Sequence, residues 1–266
     1  MKSKGLIITL IILLSIIIFF LVMFLVMYLN GNISFKNGIF NIGSKSKNII
    51  YDKQFELENI KDIDIKQDAG DILFKETTED YIKVVLYGED EKDAHVELTN
   101  GKLTIDNTHN RRNFSFLNFQ TTKNDIIIYV PSSYSNNVNI KNDYGECELA
   151  DLENATVNID CDAGNVELGK IRNATIKCDY GNIEIKEVMN KCDIKADCGN
   201  IQIDTISINE DSSIKADLGN VDINNTNDIY VDAVVSLGKI NINNNNRNAN
   251  VTLKVNCDCG NVTINN

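Results

Sequence analysis

Aspartate recurs at a near-fixed spacing through the second half of this 266-residue chain. Asp143, Asp162, Asp179, Asp197, Asp217 and Asp258 each precede a glycine by two residues, and Ser236 takes the equivalent place between the last two. If the copies stack as strands, their carboxylates lie ~4.8 Å apart. Like charges at that distance repel, and a hard cation such as Ca²⁺ would relieve the repulsion through oxygen ligands. Asp143, Asp162, Asp179, Asp197 and Asp217 are therefore a candidate metal column, broken at Ser236. The alternative is that each Asp is a turn residue, bonded to backbone amides ahead of it and facing water. The motif favours that alternative, because it lacks the additional ligands of dedicated calcium repeats. Carboxylates catalyse glycoside hydrolysis in pairs whose environments separate their pKa values. A uniform ladder offers no such asymmetry, so no catalytic residue and no cofactor is expected.

The other reactive side chains are weaker candidates. Seven cysteines in an exported chain would suggest disulfides, but the count is odd and no Cys-x-x-Cys occurs. On the repeat, Cys147, Cys161, Cys178, Cys192 and Cys257 fall at inward strand positions, where cysteine packs as a small apolar residue. Cys198 and Cys259 take the variable corner position. Cys161 and Cys178 would stack with parallel Cβ vectors, a poor geometry for a bond. His95 and His109 are isolated. Arg111 and Arg112 sit beside Phe114, Phe116 and Phe119, either as a ligand-contacting loop or as an apolar flap. Tyr144 and Tyr180 occupy equivalent corners, with Ala163 between them. Exposed, they would stack on a sugar or peptide; buried, they would cap the corner.

What must position these residues is a repeat. DYGECEL, DAGNVEL, DYGNIEI, DCGNIQI, DLGNVDI, SLGKINI and DCGNVTI place glycines at 145, 164, 181, 199, 219, 238 and 260, steps of 17 to 22 residues. An eighth copy, DAGDILF, begins at Asp68. Apolar and polar residues alternate on both sides of each corner, the pattern of strands with one buried face. A unit this short cannot bury that face alone and must stack. The fold class expected is all-β, a β-solenoid of parallel β-helix type with ~17–22-residue repeats. Its inward columns would run Cys147, Val166, Ile183, Ile201, Val221, Ile240, Val262 and Leu149, Leu168, Ile185, Ile203, Ile223, Ile242, Ile264. The regular repeats occupy residues 136–266. Residues 49–135 read as less regular strands of the same superstructure, with 107–124 as the most loop-like insertion. The repeats end at Ile264 with no cap after it, an open edge that would suit pairing with a second copy or a partner strand.

Residues 5–29 carry no charge and would reach roughly 37 Å as a helix, enough to cross a ~30 Å hydrocarbon core. The run exceeds a signal-peptide core and no small-x-small site follows, so it reads as an uncleaved transmembrane anchor. Lys2 and Lys4 place the four-residue tail inside and the rest outside. Residues 30–48, with three glycines among Asn, Ser and Lys, read as a flexible tether. The 38 acidic residues against 26 basic ones, net −12, argue against nucleic acid, which requires a dense basic surface.

The ordered set of an early IDIKQDAGDILFK segment, a middle strand ending IIIYVP and a tail of DxGN-[IV]-x-[IL] repeats resembles one bacterial family. This is the β-strand-repeat family of candidate adhesins, domain of unknown function 4097. The resemblance covers residues 49–266 and implies a solenoid-like β fold at the cell envelope; similar anchored proteins accompany Lia-type envelope-stress systems. It supplies no catalytic residues to carry over, and this chain departs from the pattern at Ser236 and Lys239. The function expected is a non-enzymatic cell-surface binding or scaffold module with an envelope protein, surface protein or glycan as ligand. An accessory role in envelope-stress signalling, through another membrane protein, is the alternative. A polysaccharide-acting enzyme on a β-helix is a third.

Overall fold

A computed structural model of the protein describes residues 33–36, 39–42, 48–88, 95–108, 125–243 and 245–265. The chain divides into two units, one of residues 48–110 with 122–266, the other of residues 1–47 with 111–121. In the second unit the described residues form one antiparallel pair, Ile33–Lys36 with Ile39–Ile42, within the segment expected to be a flexible tether. Asn37-Gly38, which favours a tight hairpin turn, lies between the two strands in sequence. The expected transmembrane segment 5–29 falls outside the described residues. Among those described, no helix is long and apolar enough to cross a membrane.

The first unit is built of parallel coils, and those of the repeat region turn at its x-Gly corner. Before the corner, Val138 pairs with Val157, Val157 with Ala174, and Ile194 with Ile214. After it, Cys147 pairs with Val166, Val166 with Ile183, Ile183 with Ile201, and Ile201 with Val221. Like residues therefore stack upon like, and as far as Val221 and Ile223 the columns expected from the repeat are formed and buried. Each fully buried Ile or Val contributes roughly 1.5–3 kcal/mol, realised only when coils above and below complete the burial.

The copy at Asp68 does not stand apart. Asp62–Gln67 and Ile72–Thr77 stack on the Asn137 coil, with Gly70 N–H donating to the Tyr144 carbonyl at 2.8 Å. Below them lie Lys102–Asn107 and Asp125–Pro131, again parallel. This end of the stack is then closed by antiparallel strands: His95–Thr99 on one face, and Tyr81–Gly88 followed by Asn48–Glu56 on the other. The irregular half thus has a definite task. It ends the parallel ladder with strands that a parallel coil cannot extend.

At the opposite end the order of the last two coils departs from the chain order. Thr252–Cys259 pairs with Ser212–Leu218 on one side and with Tyr230–Leu237 on the other. Val262–Ile264 is likewise flanked by Val221–Thr226 and Ile240–Ile242. The chain leaves the Val221 strand, builds the outermost coil first, then returns to fill the gap beneath it. The column is therefore Val221, Val262, Ile240, and the edge expected at Ile264 is in fact interior. The open edge belongs to Tyr230–Leu237 and Ile240–Ile242.

Candidate functional site

The corner itself rests on glycine and asparagine. Gly145, Gly164 and Gly181 donate their N–H groups to the carbonyls of Ala163, Tyr180 and Cys198 on the next coil, so these amides are unavailable to the Asp two residues earlier. The asparagine after the glycine carries a second ladder. Asn165 Oδ1 accepts from the Asn182 N–H at 3.0 Å, Asn182 from Asn200 at 3.0 Å, Asn200 from Asn220 at 2.9 Å, and Asn220 from Asn261 at 2.9 Å. The ladder ends where Asn261 accepts from the Lys239 N–H at 3.1 Å. Lysine has no acceptor to offer, and no further coil follows. The Asn of the motif was legible in the sequence but had been given no role.

The Asp column is arranged differently from either expectation. Asp179, Asp197 and Asp217 are each paired with the lysine two residues before, Lys177, Lys195 and Lys215, at 2.8, 2.6 and 2.7 Å. The Lys195 hydrogen bond holds the Asp197 carboxyl below its usual range. Asp143 is shifted upward, by burial and then by Asp162 on the adjacent coil. Ser236 does not interrupt the column; by the true coil order it terminates it, beyond Asp258. Among the described residues, no group of three or more His, Cys, Asp or Glu is placed to hold a metal ion.

Between the Asp and the Gly runs an unbroken apolar ridge. Register pairs Tyr144 with Ala163, Ala163 with Tyr180, Tyr180 with Cys198, Cys198 with Leu218, Leu218 with Cys259, and Cys259 with Leu237. Tyr144 is 64% exposed and Tyr180 66%, and two coil steps separate them by roughly 10 Å. Of the two alternatives for these tyrosines, the exposed one is realised. A groove of about 640 Å³, lined in part by Lys177, Lys195 and Lys215 of the Lys column, runs across successive coils from Asp64 to Lys215. Its carboxylates are ion-paired: Asp64 with Lys102, Asp160 with Lys177, Asp193 with Lys191. Burial opposes ionisation of Asp64, but hydrogen bonds from Lys102 and Asn139 outweigh it and hold the carboxyl low.

The family model described as Toastrack DUF4097 matches residues 60–266, from two residues before the strand Asp62–Gln67 through the last coil. The chain belongs to the Toastrack DUF4097 family. A search of the curated proteins gave no match. Among solved structures, the chain is similar to a candidate adhesin from Bacteroides fragilis NCTC 9343, at 14% identity, TM-score 0.46, covering 84% of this chain and 98% of that one. A candidate cell adhesion protein from Clostridium sporogenes ATCC 15579 is similar at 12% identity and TM-score 0.39, covering 83% and 99%. A candidate lipid binding protein from Parabacteroides distasonis ATCC 8503 is similar at 14% and 0.41, covering 80% and 96%. No ligand or activity follows for this chain from likenesses at such identities.

In this Toastrack chain the cysteines behave as core residues. Cys147, Cys161, Cys178, Cys192 and Cys257 are buried, Cys198 and Cys259 half-buried, and all seven are free thiols. The Cys147 thiol, together with burial, pushes Cys161 up to about 12. Cys178 is raised by Cys161 and by burial, and Cys192 is pushed up to about 12 by burial. Thiolate is the reacting species. In the native chain at mildly alkaline pH, we expect a disulfide reagent to modify Cys198 and Cys259 rapidly and the five buried thiols only after denaturant is added. Rapid native modification of Cys161 or Cys178 would show that their corner is open. His95 is exposed on its strand. Arg111, Arg112, His109 and the neighbouring phenylalanines lie outside the described residues.

Proposed function

We propose that this protein is a non-enzymatic, membrane-anchored surface module that binds an extended ligand lying along the axis of its coils. The carrying observation is the exposed ridge from Tyr144 to Leu237, in which seven successive corners present Tyr, Ala, Cys or Leu and no polar residue. A corner position facing water has no need of apolar side chains, and contiguous exposed apolar surface rimmed by charge marks an interaction site. Here the rim is supplied by the Asp and Lys columns beside it. The rigid ladder fixes the ridge residues at coil spacing, so a ligand is met without loss of side-chain or backbone freedom in the scaffold. Pairing of the groove carboxylates with lysine supports a binding role over hydrolysis, since a general acid needs a carboxyl held protonated. The uncharged 5–29 segment and the lysines before it support anchoring with the coils outside the cell.

The test is capture by the full chain in detergent, immobilised and offered either solubilised membrane from its source or a panel of matrix proteins and glycans. Retention from the panel supports the surface-binding reading, and retention of a membrane protein would replace it with an envelope-scaffold role. In either case the double change Tyr144→Ala, Tyr180→Ala is expected to weaken the captured ligand about tenfold or more, as loss of central aromatic contacts does. Binding untouched by that change would remove the ridge from the site.

A further inference from the structure

We infer that the outermost coil, Tyr230–Leu237 with Ile240–Ile242, is a contact surface for a second copy of this chain, paired about a two-fold axis. Three of the exposed large apolar residues in the described chain cluster there: Val234 at 57%, Leu237 at 70% and Ile240 at 46%. Ile240 is a member of an inward column whose next residues, Val262 and Val221, are fully buried. Val235 and Ile242, also inward, are half-exposed, whereas Cys257 and Ile264 directly beneath them are buried. The core is thus left open at this end, while antiparallel strands close the other.

The edge is prepared for a limited contact. Asn245 occupies both backbone groups of Val231, accepting from its N–H at 2.9 Å and donating to its carbonyl at 2.8 Å. That blocks the first part of the edge, and the stretch left for pairing ends before Leu237, whose carbonyl accepts from the Gly260 N–H at 3.0 Å. Head-to-tail stacking would set this open core against the antiparallel strands that already close the opposite end, and so would join no second open core. Like-with-like closure remains, and it joins two open cores. The charges favour it as well. Asp232 precedes the apolar stretch and Lys239 follows it, so antiparallel juxtaposition brings each toward its opposite on the second copy. Ser236, where the other corners carry Asp, removes a carboxylate from this edge. An interface this small is weak in solution. Tethering both copies to one membrane raises their effective concentration without adding contacts. The inference does not rest on ligand binding, although Leu237 is also the last residue of the ridge.

The experiment is sedimentation velocity on the full chain in detergent micelles over a wide concentration range. The wild type is expected to shift from monomer towards dimer as concentration rises. Val234→Lys with Leu237→Lys should stay monomeric throughout, with an unchanged circular dichroism spectrum because both side chains already face solvent. Leu218→Lys, exposed on the ridge but away from the outermost coil, should dimerise as the wild type does. Asp232→Lys and Lys239→Asp should each weaken the dimer at least severalfold, and the two together should restore it. A wild type that remains monomeric at all concentrations overturns the inference. So does a dimer indifferent to the Val234 and Leu237 changes, which would place association elsewhere, for instance in the membrane segment.

Discussion

Replacing Gly181 by alanine is expected to lower the thermal midpoint of the coil unit by about 10 °C or more, or to prevent folding altogether. Gly181 has φ +151°, a conformation that L residues rarely adopt, and an added Cβ would stand 2.6 Å from the Gly164 carbonyl carbon and closer still to its oxygen. That oxygen belongs to the neighbouring coil, so the clash cannot be relieved by a side-chain rotation. Only separating two coils would make room, and separation breaks the adjacent N–H donation from Gly164 to the Tyr180 carbonyl and, with it, the Asn182-to-Asn165 rung of the asparagine ladder. Strain of this backbone class costs about 1–3 kcal/mol, and overpacking adds about the same again. The control is Gly101→Ala. Gly101 also has positive φ, +85°, but its Cβ would meet the flexible Lys61 side chain at 3.3 Å and the Asn59 carbonyl oxygen only at an ordinary contact distance of 3.6 Å. Thermal melts followed by circular dichroism should separate the two variants clearly. Equal losses would mean that backbone conformation, and not the close approach of coils, is what requires the glycine.

How far this fold could be read in advance depends on which kind of information the repeat carries. Alternation fixes which side chains point inward, and recurrence fixes which residues share a column, so Val166 above Cys147 and Ile183 above Val166 followed from spacing alone. Neither kind of pattern encodes the order in which coils are stacked. Copies adjacent in sequence need not be adjacent in space, and the Ile240 and Val262 coils are stacked in the reverse of their chain order. The signs of reversal were nonetheless present. Only the copy at Ser236 lacks both Asp and Asn, as befits an end position that has no neighbour to bond. The longest step, from Gly238 to Gly260, supplies the residues needed to pass around the outermost coil and come back.

Site residues divide along the same line. Tyr144 and Tyr180 were located correctly as equivalent corners, but their membership of a continuous apolar ridge emerges only when Leu218, Cys259 and Leu237 are placed in true coil order. The lysine partners of Asp179, Asp197 and Asp217 were visible as a Lys-x-Asp spacing. They went unread because attention to stacked carboxylates looks between coils, whereas these pairs form within one strand. Side chains two apart on a strand share a face, and that simple geometry determines where the carboxylates turn.

The reversed order of the last coils yields the second large effect. Val262→Asp is expected to cost about 4 kcal/mol or more and to abolish the folded state in moderate urea, while Ile240→Asp should cost less than about 1 kcal/mol. A chain stacked in sequence order would give the reverse ranking, because Val262 would then lie in the last coil and Ile240 inside. In the observed order Val262 is fully buried between Val221 and Ile240, so a carboxylate there must either be buried unpaired or force two coils apart. Ile240 is already half in water, and an aspartate can point outward. Because coil stability is transmitted through nearest neighbours, the Val262 change severs the outermost coil from the rest and exposes a second apolar end on Val221. Urea titration of both variants against the wild type decides the matter by rank, which is insensitive to the absolute stability of the unit. If Ile240→Asp proved the more damaging, the returning path of the chain would be wrong, and with it the identity of the open edge.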